Sequence, residues 1–282
     1  MLLMLRLLMI GSLLVSSAFA LSTSDTKGLD KKVINFDKQR INSNARVEVK
    51  KISVFSKKDL QNGWYGYVLN IDAMINKKEV HAKDTLFANS KLIAPELFDI
   101  NNGSSLKAFL TPKLTKAYYN SKHLIYGNKN AKNKIVIFSD PLCPFCKDFM
   151  PKVFAYVKKH KKDIALYYYD YPLLMVHPAS KVLSLAMKVA KTEGIKDLEK
   201  RVYATDFEKY FSIRETKPKK ILAGFNKVFG THITVAQIKD KKIVNDLKND
   251  VASGDAMMVQ GTPTIFVNGI KDISRTKWNH LK

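Results

Sequence analysis

The chain has 282 residues, 46% of them hydrophobic, and a formal net charge of +23. This length allows one large domain or two ordinary ones, and the composition is that of a chain that folds around a core rather than a disordered one. It carries two cysteines, Cys143 and Cys146, which excludes a disulfide-rich scaffold and leaves a structural zinc site short of ligands.

Residues 1–20, MLLMLRLLMIGSLLVSSAFA, differ from the rest. One early cation, Arg6, precedes an apolar run that ends in Ala18-Phe19-Ala20. That is the pattern of a secretory signal peptide. A retained membrane anchor is the alternative, but the run is short for a span. Cleavage is expected near Leu21, which removes one cation, leaves +22, and places the protein outside the cytosol, in a bacterial periplasm. So basic a chain often binds nucleic acid. Here the signal peptide argues against it, and so does the spread of the lysines, as in KKHKK at 158–162, KPKK at 217–220 and KDKK at 239–242. No nucleic-acid partner is expected; solvated faces, or attraction to acidic partners and anionic lipid, fit better.

Residues 46–103 read as strands and turns. RVEVKKISVF alternates, Gly63 breaks the run, and WYGYVLNIDAMI is rich in aromatic and β-branched residues. This stretch holds no cysteine and one histidine, His81, so a structural or interaction domain is expected over 21–103. Residues 104–120 have helical spacing with Pro112 inside, and predict a kinked linker helix over 104–121. From 122 the pattern becomes α/β. KIVIFSD, 134–140, is a compact apolar strand followed at once by the thiols. Phe149, Met150, Val153, Phe154 and Val157 then share a helical face. IALYYYDYPLL, 164–174, reads as the next strand; a helical insertion occupies about 177–255; GTPTIFVNG, 261–269, returns as a strand. The expectation is one α/β domain over 122–282.

A strand, then C-P-F-C, then a helix puts Cys143 at a helix N-terminus. Free amides and the helix dipole there favour an anion, so Cys143 is expected to be the exposed, acidic thiol that attacks a disulfide. Cys146 lies almost one turn later, points inward, and can resolve the mixed disulfide. Three other uses of the pair stand beside this one. A structural disulfide closing so small a loop removes little chain entropy. A metal site wants further ligands, and no metal ligand set is expected. A copper carrier could use two thiolates with Met257 and Met258, although those methionines suit a core better.

DPLCPFCKDF resembles the active-site segment of the periplasmic disulfide isomerases and reductases of the DsbC and DsbG type, members of the thioredoxin superfamily. GTPTIFVNG resembles the cis-proline loop of thioredoxin folds, YPLL with HPAS resembles the entry to the helical insertion of the DsbA, DsbC and DsbG group, and Pro151 matches the proline in the active-site helix. The resemblance implies an α/β thioredoxin fold with a helical insertion, preceded by a small α+β dimerisation domain and a linker helix. It implies a protein disulfide isomerase or reductase that needs no cofactor. Its partners would be exported proteins with disulfides or thiols, and a membrane redox protein. Thr262 and Pro263 would hold the client backbone against the redox pair. A DsbA-like oxidase, and a thiol-independent holdase, are the competing functions. DsbA has a histidine where this chain has Phe145, so a less extreme thiolate is expected here. The acid that the family buries beneath its redox pair has no assigned counterpart, and proton transfer from Cys146 is expected to use water. Asp140 is a candidate for tuning the local charge and His177 for a base, although both read better as turn, loop or cap residues. A β-rich segment of this size leaves sheet edges open; pairing with a second copy over the face around Trp64, Tyr65 and Tyr67 would give a homodimer.

Overall fold

The structure, a computed structural model, describes residues 23–76 and 78–281. The predicted signal peptide lies outside the described residues. The chain divides into two compact units, Met1–Pro95 and Glu96–Lys282.

In the first unit, helix α1 (Thr23–Asn42) precedes four antiparallel strands, β1 (Val47–Asp59), β2 (Tyr65–Ile75), β3 (Lys78–Ala88) and β4 (Ile93–Ala94), arranged in that order. Helix α1 has no counterpart among the predicted elements, because its apolar stripe is sparse. Leu29 and Val33 nevertheless fall one turn apart, and both pack on Tyr67, Leu69, Leu86 and Ala88 of the sheet. This packing corrects the expected pairing face. Tyr67 is fully buried, and its hydroxyl donates to Asp30 of α1 at 2.8 Å. The helix of the same chain therefore occupies part of the aromatic surface assigned to a second copy.

The predicted helix over 104–121 is not one helix. A single turn, α2 (Lys107–Leu110), is followed by Thr111-Pro112 and by a short 3₁₀ turn at Lys116–Tyr118. Pro112 cannot donate to a continuing helix, and the Leu114 amide instead donates to the Gly269 carbonyl at 2.9 Å. Leu114 is buried with Val136, Phe138 and Phe266, and Tyr118 and Tyr119 pack on the same cluster. This segment is part of the second unit, so the boundary falls at Pro95 rather than at 103.

The second unit is built on a five-stranded sheet of order β5–β7–β6–β8–β9. The strands are β5 (Leu124–Tyr126), β6 (Asn133–Ser139), β7 (Ile164–Asp170), β8 (Thr264–Val267) and β9 (Ile270–Lys271). β6 and β7 are parallel; β5, β8 and β9 join antiparallel. The near-continuous apolar runs of β6 and β7 are explained by burial of both sheet faces. Ile135, Ile137, Leu166 and Tyr168 point into the larger core, with the helices. Val136, Phe138, Tyr167 and Tyr169 point into the smaller one, with Met257 and Val259. Helix α3 (Pro144–Lys159) crosses between β6 and β7 and contains Pro151. Helices α4 (Ser180–Thr192), α5 (Leu198–Ala204), α6 (Pro218–Phe229), α7 (Val235–Ile238) and α8 (Lys241–Ala256) form the insertion between β7 and β8. Gly127, at the end of β5, has φ +85°, and a Cβ there would lie 1.9 Å from the Ile164 carbonyl oxygen, so no other residue fits without moving the strand start.

Candidate active site

Strand β6 delivers the site. Its last residue is Ser139, and the chain turns through Asp140-Pro141-Leu142 before α3 begins. Asp140 accepts from the Leu142 amide at 2.8 Å, and its carbonyl accepts from the Cys143 amide at 3.2 Å. Cys143 is then the N-cap of α3, in an extended conformation, with Pro144 in the first turn, where a missing N–H costs nothing. Met150, Val153, Phe154 and Val157 anchor the helix in the larger core.

Both thiols are free. Cys146 is fully buried, and Cys143 is 3% exposed, less open than a helix-terminal nucleophile was expected to be. The aromatic ring between them goes the other way: Phe145 is 71% exposed. The environments of the two sulfurs push their acidities apart. The thiol of Cys146 hydrogen-bonds Cys143 and, with Thr262 and the amides of Cys146 and Phe145, lowers Cys143 to about 5 against the opposing effect of burial. Burial, with the hydrogen bond to Cys143 and the charge on it, pushes Cys146 well up. Cys143 is therefore a thiolate at neutral pH while Cys146 keeps its proton.

The loop before β8 closes over the pair. The Thr262–Pro263 peptide is cis, and the Thr262 carbonyl oxygen lies 3.5 Å from the Cys143 sulfur, which donates to it when protonated. Thr262 is buried. The structure thus brings together the four site residues named from the sequence: Cys143, Cys146, Thr262 and Pro263.

Asp140 does what a turn residue does and more. Besides the Leu142 amide it accepts from the Leu173 amide at 2.7 Å, from His177 Nδ1 at 3.0 Å and from Ser180 Oγ at 2.6 Å. One fully buried carboxylate thereby ties the redox turn to the 171–180 segment that leads into α4. His177 is part of that tie, buried beside Asp140. The segment carries Leu174, Met175 and Val176, which are 45%, 83% and 52% exposed. With Phe145 they form an apolar rim on the elements that hold Cys143.

Ser139 and Tyr203 were not legible as site residues. The Ser139 hydroxyl hydrogen-bonds the Tyr203 hydroxyl at 2.6 Å, and it lies beside the Cys146 thiol, whose ionisation it favours. A hydroxyl closing an otherwise apolar strand is the one signal the sequence offers. Met257 and Met258 are buried, Met257 within the smaller core. No group of three or more His, Cys, Asp or Glu residues placed to hold a metal occurs among the described residues.

A family model described as thioredoxin matches residues 119–282, more than half of the chain. No curated protein matches. Among solved structures, DsbA2 of Pseudomonas aeruginosa is similar at 22% identity over 52% of this chain and 82% of its own, with TM-score 0.40. A thioredoxin-like oxidoreductase of Silicibacter pomeroyi is similar at 17% identity over 56% and 87%, with TM-score 0.44. Proteus mirabilis ScsC is similar at 22% identity over 56% and 74%, with TM-score 0.43.

Proposed function

The chain belongs to the thioredoxin family, and on that premise we propose that it is a thiol–disulfide oxidoreductase that reshuffles or reduces disulfides in exported proteins. The observation that carries the proposal is the pairing of a thiolate-stabilised Cys143 with a buried, protonated Cys146 one helical turn away. Cys143 attacks a client disulfide, and one client sulfur leaves as a thiolate. Cys146 then attacks Cys143, forms the internal disulfide and frees the second client sulfur. The Thr262 backbone beside Cys143 aligns the client chain, and the rim of Phe145, Leu174, Met175 and Val176 receives its apolar side chains. Such a rim suits a client whose core residues are still exposed.

The signal-peptide pattern of residues 1–20 supports export to the periplasm. The additional α+β unit supports likeness to the DsbC and DsbG type, working as a homodimer through 21–95. With α1 on part of the aromatic surface, the dimer contact uses other parts of that unit. A membrane redox protein keeps the pair in its working state.

One observation favours the DsbA-like oxidase reading. A Cys143 acidity near 5 stabilises the reduced form and makes the disulfide a better oxidant. It still lies between the very acidic thiol of DsbA and the near-neutral one of thioredoxin, at about 3.5 and 7, which is where a protein that both forms and breaks mixed disulfides belongs. The deciding experiment traps thiols in intact cells with acid and then alkylates them. A mostly reduced Cys143–Cys146 pair supports the isomerase or reductase; a mostly oxidised pair supports the oxidase. A Cys143→Ser, Cys146→Ser double variant with full protective activity would instead make the protein a holdase.

A further inference from the structure

Resolution of the mixed disulfide requires Cys146 to lose a proton, and Cys146 is fully buried. The structure supplies a route. Ser139 lies beside the Cys146 thiol and favours its ionisation. From Ser139 Oγ the chain of contacts runs to the Tyr203 hydroxyl at 2.6 Å, to the Tyr168 hydroxyl at 3.0 Å, and to Asp170 Oδ1 at 3.4 Å. Tyr203, Tyr168 and Asp170 are 3%, 1% and 1% exposed. These groups come from β6, α5 and β7, and no local motif links them.

The direction of the chain is fixed by its end. An ionised Asp170 can accept but not donate, so Tyr168 donates to it. Tyr168 then accepts from Tyr203, and Tyr203 accepts from Ser139. Ser139 is left with a lone pair for the Cys146 S–H. Every link is poised to carry a proton away from the sulfur.

Asp170 does not sit in isolation. Lys188 of α4 reaches Asp170 at 3.2 Å and Asp250 of α8 at 2.6 Å, and Asp250 in turn meets His123 Nε2 at 2.7 Å. Lys191 of α4 adds positive charge near Asp170, and Glu199 of α5 and Asp140 add negative charge near Tyr168 and Tyr203. Lys188, Asp250 and His123 line a cavity of about 760 Å³. The cluster therefore joins the buried carboxylate to solvent at a place away from the client-binding rim.

We infer that Ser139, Tyr203, Tyr168 and Asp170 form a relay that takes the Cys146 proton to the Lys188–Asp250–His123 cluster during resolution. The inference rests on the redox reading of the pair. In the step, the Cys146 proton passes to Ser139 as the Ser139, Tyr203 and Tyr168 protons each move one place on, and Asp170 becomes neutral. The freed electron pair on Cys146 forms the bond to the Cys143 sulfur. The bond from Cys143 to the client sulfur breaks, and the client leaves as a thiolate. Ser139 now donates back to the Cys146 sulfur, and Asp170 returns its proton to the solvent-facing cluster. Ser139 lies beside the reacting atom; Tyr203, Tyr168 and Asp170 are positioning residues that act through it.

The test uses the reduced full-length protein and a nitrobenzoate aryl disulfide whose thiolate product is coloured. The first colour burst reports attack by Cys143, and the second reports attack by Cys146 on the mixed disulfide. In Tyr203→Phe the first burst should keep its rate, and the second should slow at least tenfold at neutral pH. The second burst should also change its pH profile, rising about tenfold per pH unit as hydroxide replaces the relay. Ser139→Ala should behave alike, and it carries the test should Tyr203→Phe fail to fold. A second burst unchanged in rate and profile in the folded variants overturns the relay. Absence of the first burst in the parent protein overturns the redox reading itself.

Discussion

Lowering the pH separates Cys143 from an ordinary thiol more sharply than any neutral assay. With its acidity near 5, Cys143 is about 99% thiolate at pH 7, against roughly 3% for a peptide cysteine near 8.5. That gives about a 30-fold gain in reactive species. A more acidic thiolate is also a weaker nucleophile, and a Brønsted slope of about 0.45 over 3.5 pH units costs about 40-fold. The two effects cancel near pH 7. At pH 5 half of Cys143 is still ionised while the peptide thiolate has almost vanished, so ionisation and nucleophilicity together favour Cys143 about 40-fold before burial is counted. Its 3% exposure lowers the absolute rate at every pH alike and leaves the half-point unmoved. The assay is alkylation by iodoacetamide from pH 4 to 9, read by mass spectrometry of the peptide that holds both cysteines. Labelling of Cys143 should be flat above pH 6 and fall about tenfold from the plateau to pH 4, and Cys146 should stay unlabelled until the protein unfolds. Replacing Cys146 by alanine removes the largest cause of the low value, so the half-point should then move up. A half-point near 8.5 in the parent, or equal labelling of both sulfurs, refutes the reasoning.

Stability should follow the same ionisation. The folded acidity of Cys143 is depressed, so the reduced form gains stability that is full above about pH 8.5 and lost as pH falls to about 5; the oxidised form lacks that gain, so the urea midpoint of the reduced form should fall relative to that of the oxidised form as the pH drops to about 5. In Cys146→Ala, clients should remain bound through Cys143 as high-mass adducts that reductant dissolves, and their absence beside an active parent refutes the assigned roles. Asp140→Ala strands four donors, at Leu142, Leu173, His177 and Ser180, and should cost roughly 4 kcal/mol or more by urea denaturation. Gly127→Ala should lower the midpoint by on the order of 2 kcal/mol or more, because its Cβ meets backbone. A chain starting at Glu96 should keep reductase activity and run as a monomer in light scattering, whereas one starting at 122 loses Leu114, Tyr118 and Tyr119 from the smaller core and should be much less stable.

What was legible in the sequence was local. C-P-F-C after an apolar strand and before a Pro-led helix declares its chemistry within ten residues, and the turn before β8 does so within nine. The second unit's central strands were legible because burial on both faces leaves near-continuous apolar runs. The helical insertion showed in its periodic stripes. Helix α1 was not legible, since its few apolar positions form a narrow stripe that gains meaning when the sheet is placed beneath it. The segment 104–121 misled for the opposite reason. Its spacing is helical, but Pro112 and the pairing of Leu114 with Gly269 are long-range facts that override spacing. Asp140 reads as a turn residue, and the turn is real. Its contacts with His177 and Ser180 span 37 and 40 positions, which no local pattern reveals. Ser139 and Tyr203 are 64 positions apart and meet because β6 and α5 share one core.

The same geometry times the two halves of the reaction. While Cys143 is a free thiolate, its charge and its hydrogen bond with Cys146 help hold the second proton in place. That proton in turn is the largest stabiliser of the thiolate. Bonding Cys143 to a client sulfur removes the negative charge. Two of the causes that raise Cys146 then disappear together, and burial remains as the chief opponent of its ionisation. Burial opposes a charge but not a proton leaving as a new S–S bond forms, because negative charge need never accumulate on the buried sulfur. The resolving thiol is therefore held inert before attack and released by it, and the trigger is the mixed disulfide itself. An exposed Cys146 would lose the largest of the effects that keep it protonated and could react before a client arrived. Its burial is what makes the order of events obligatory.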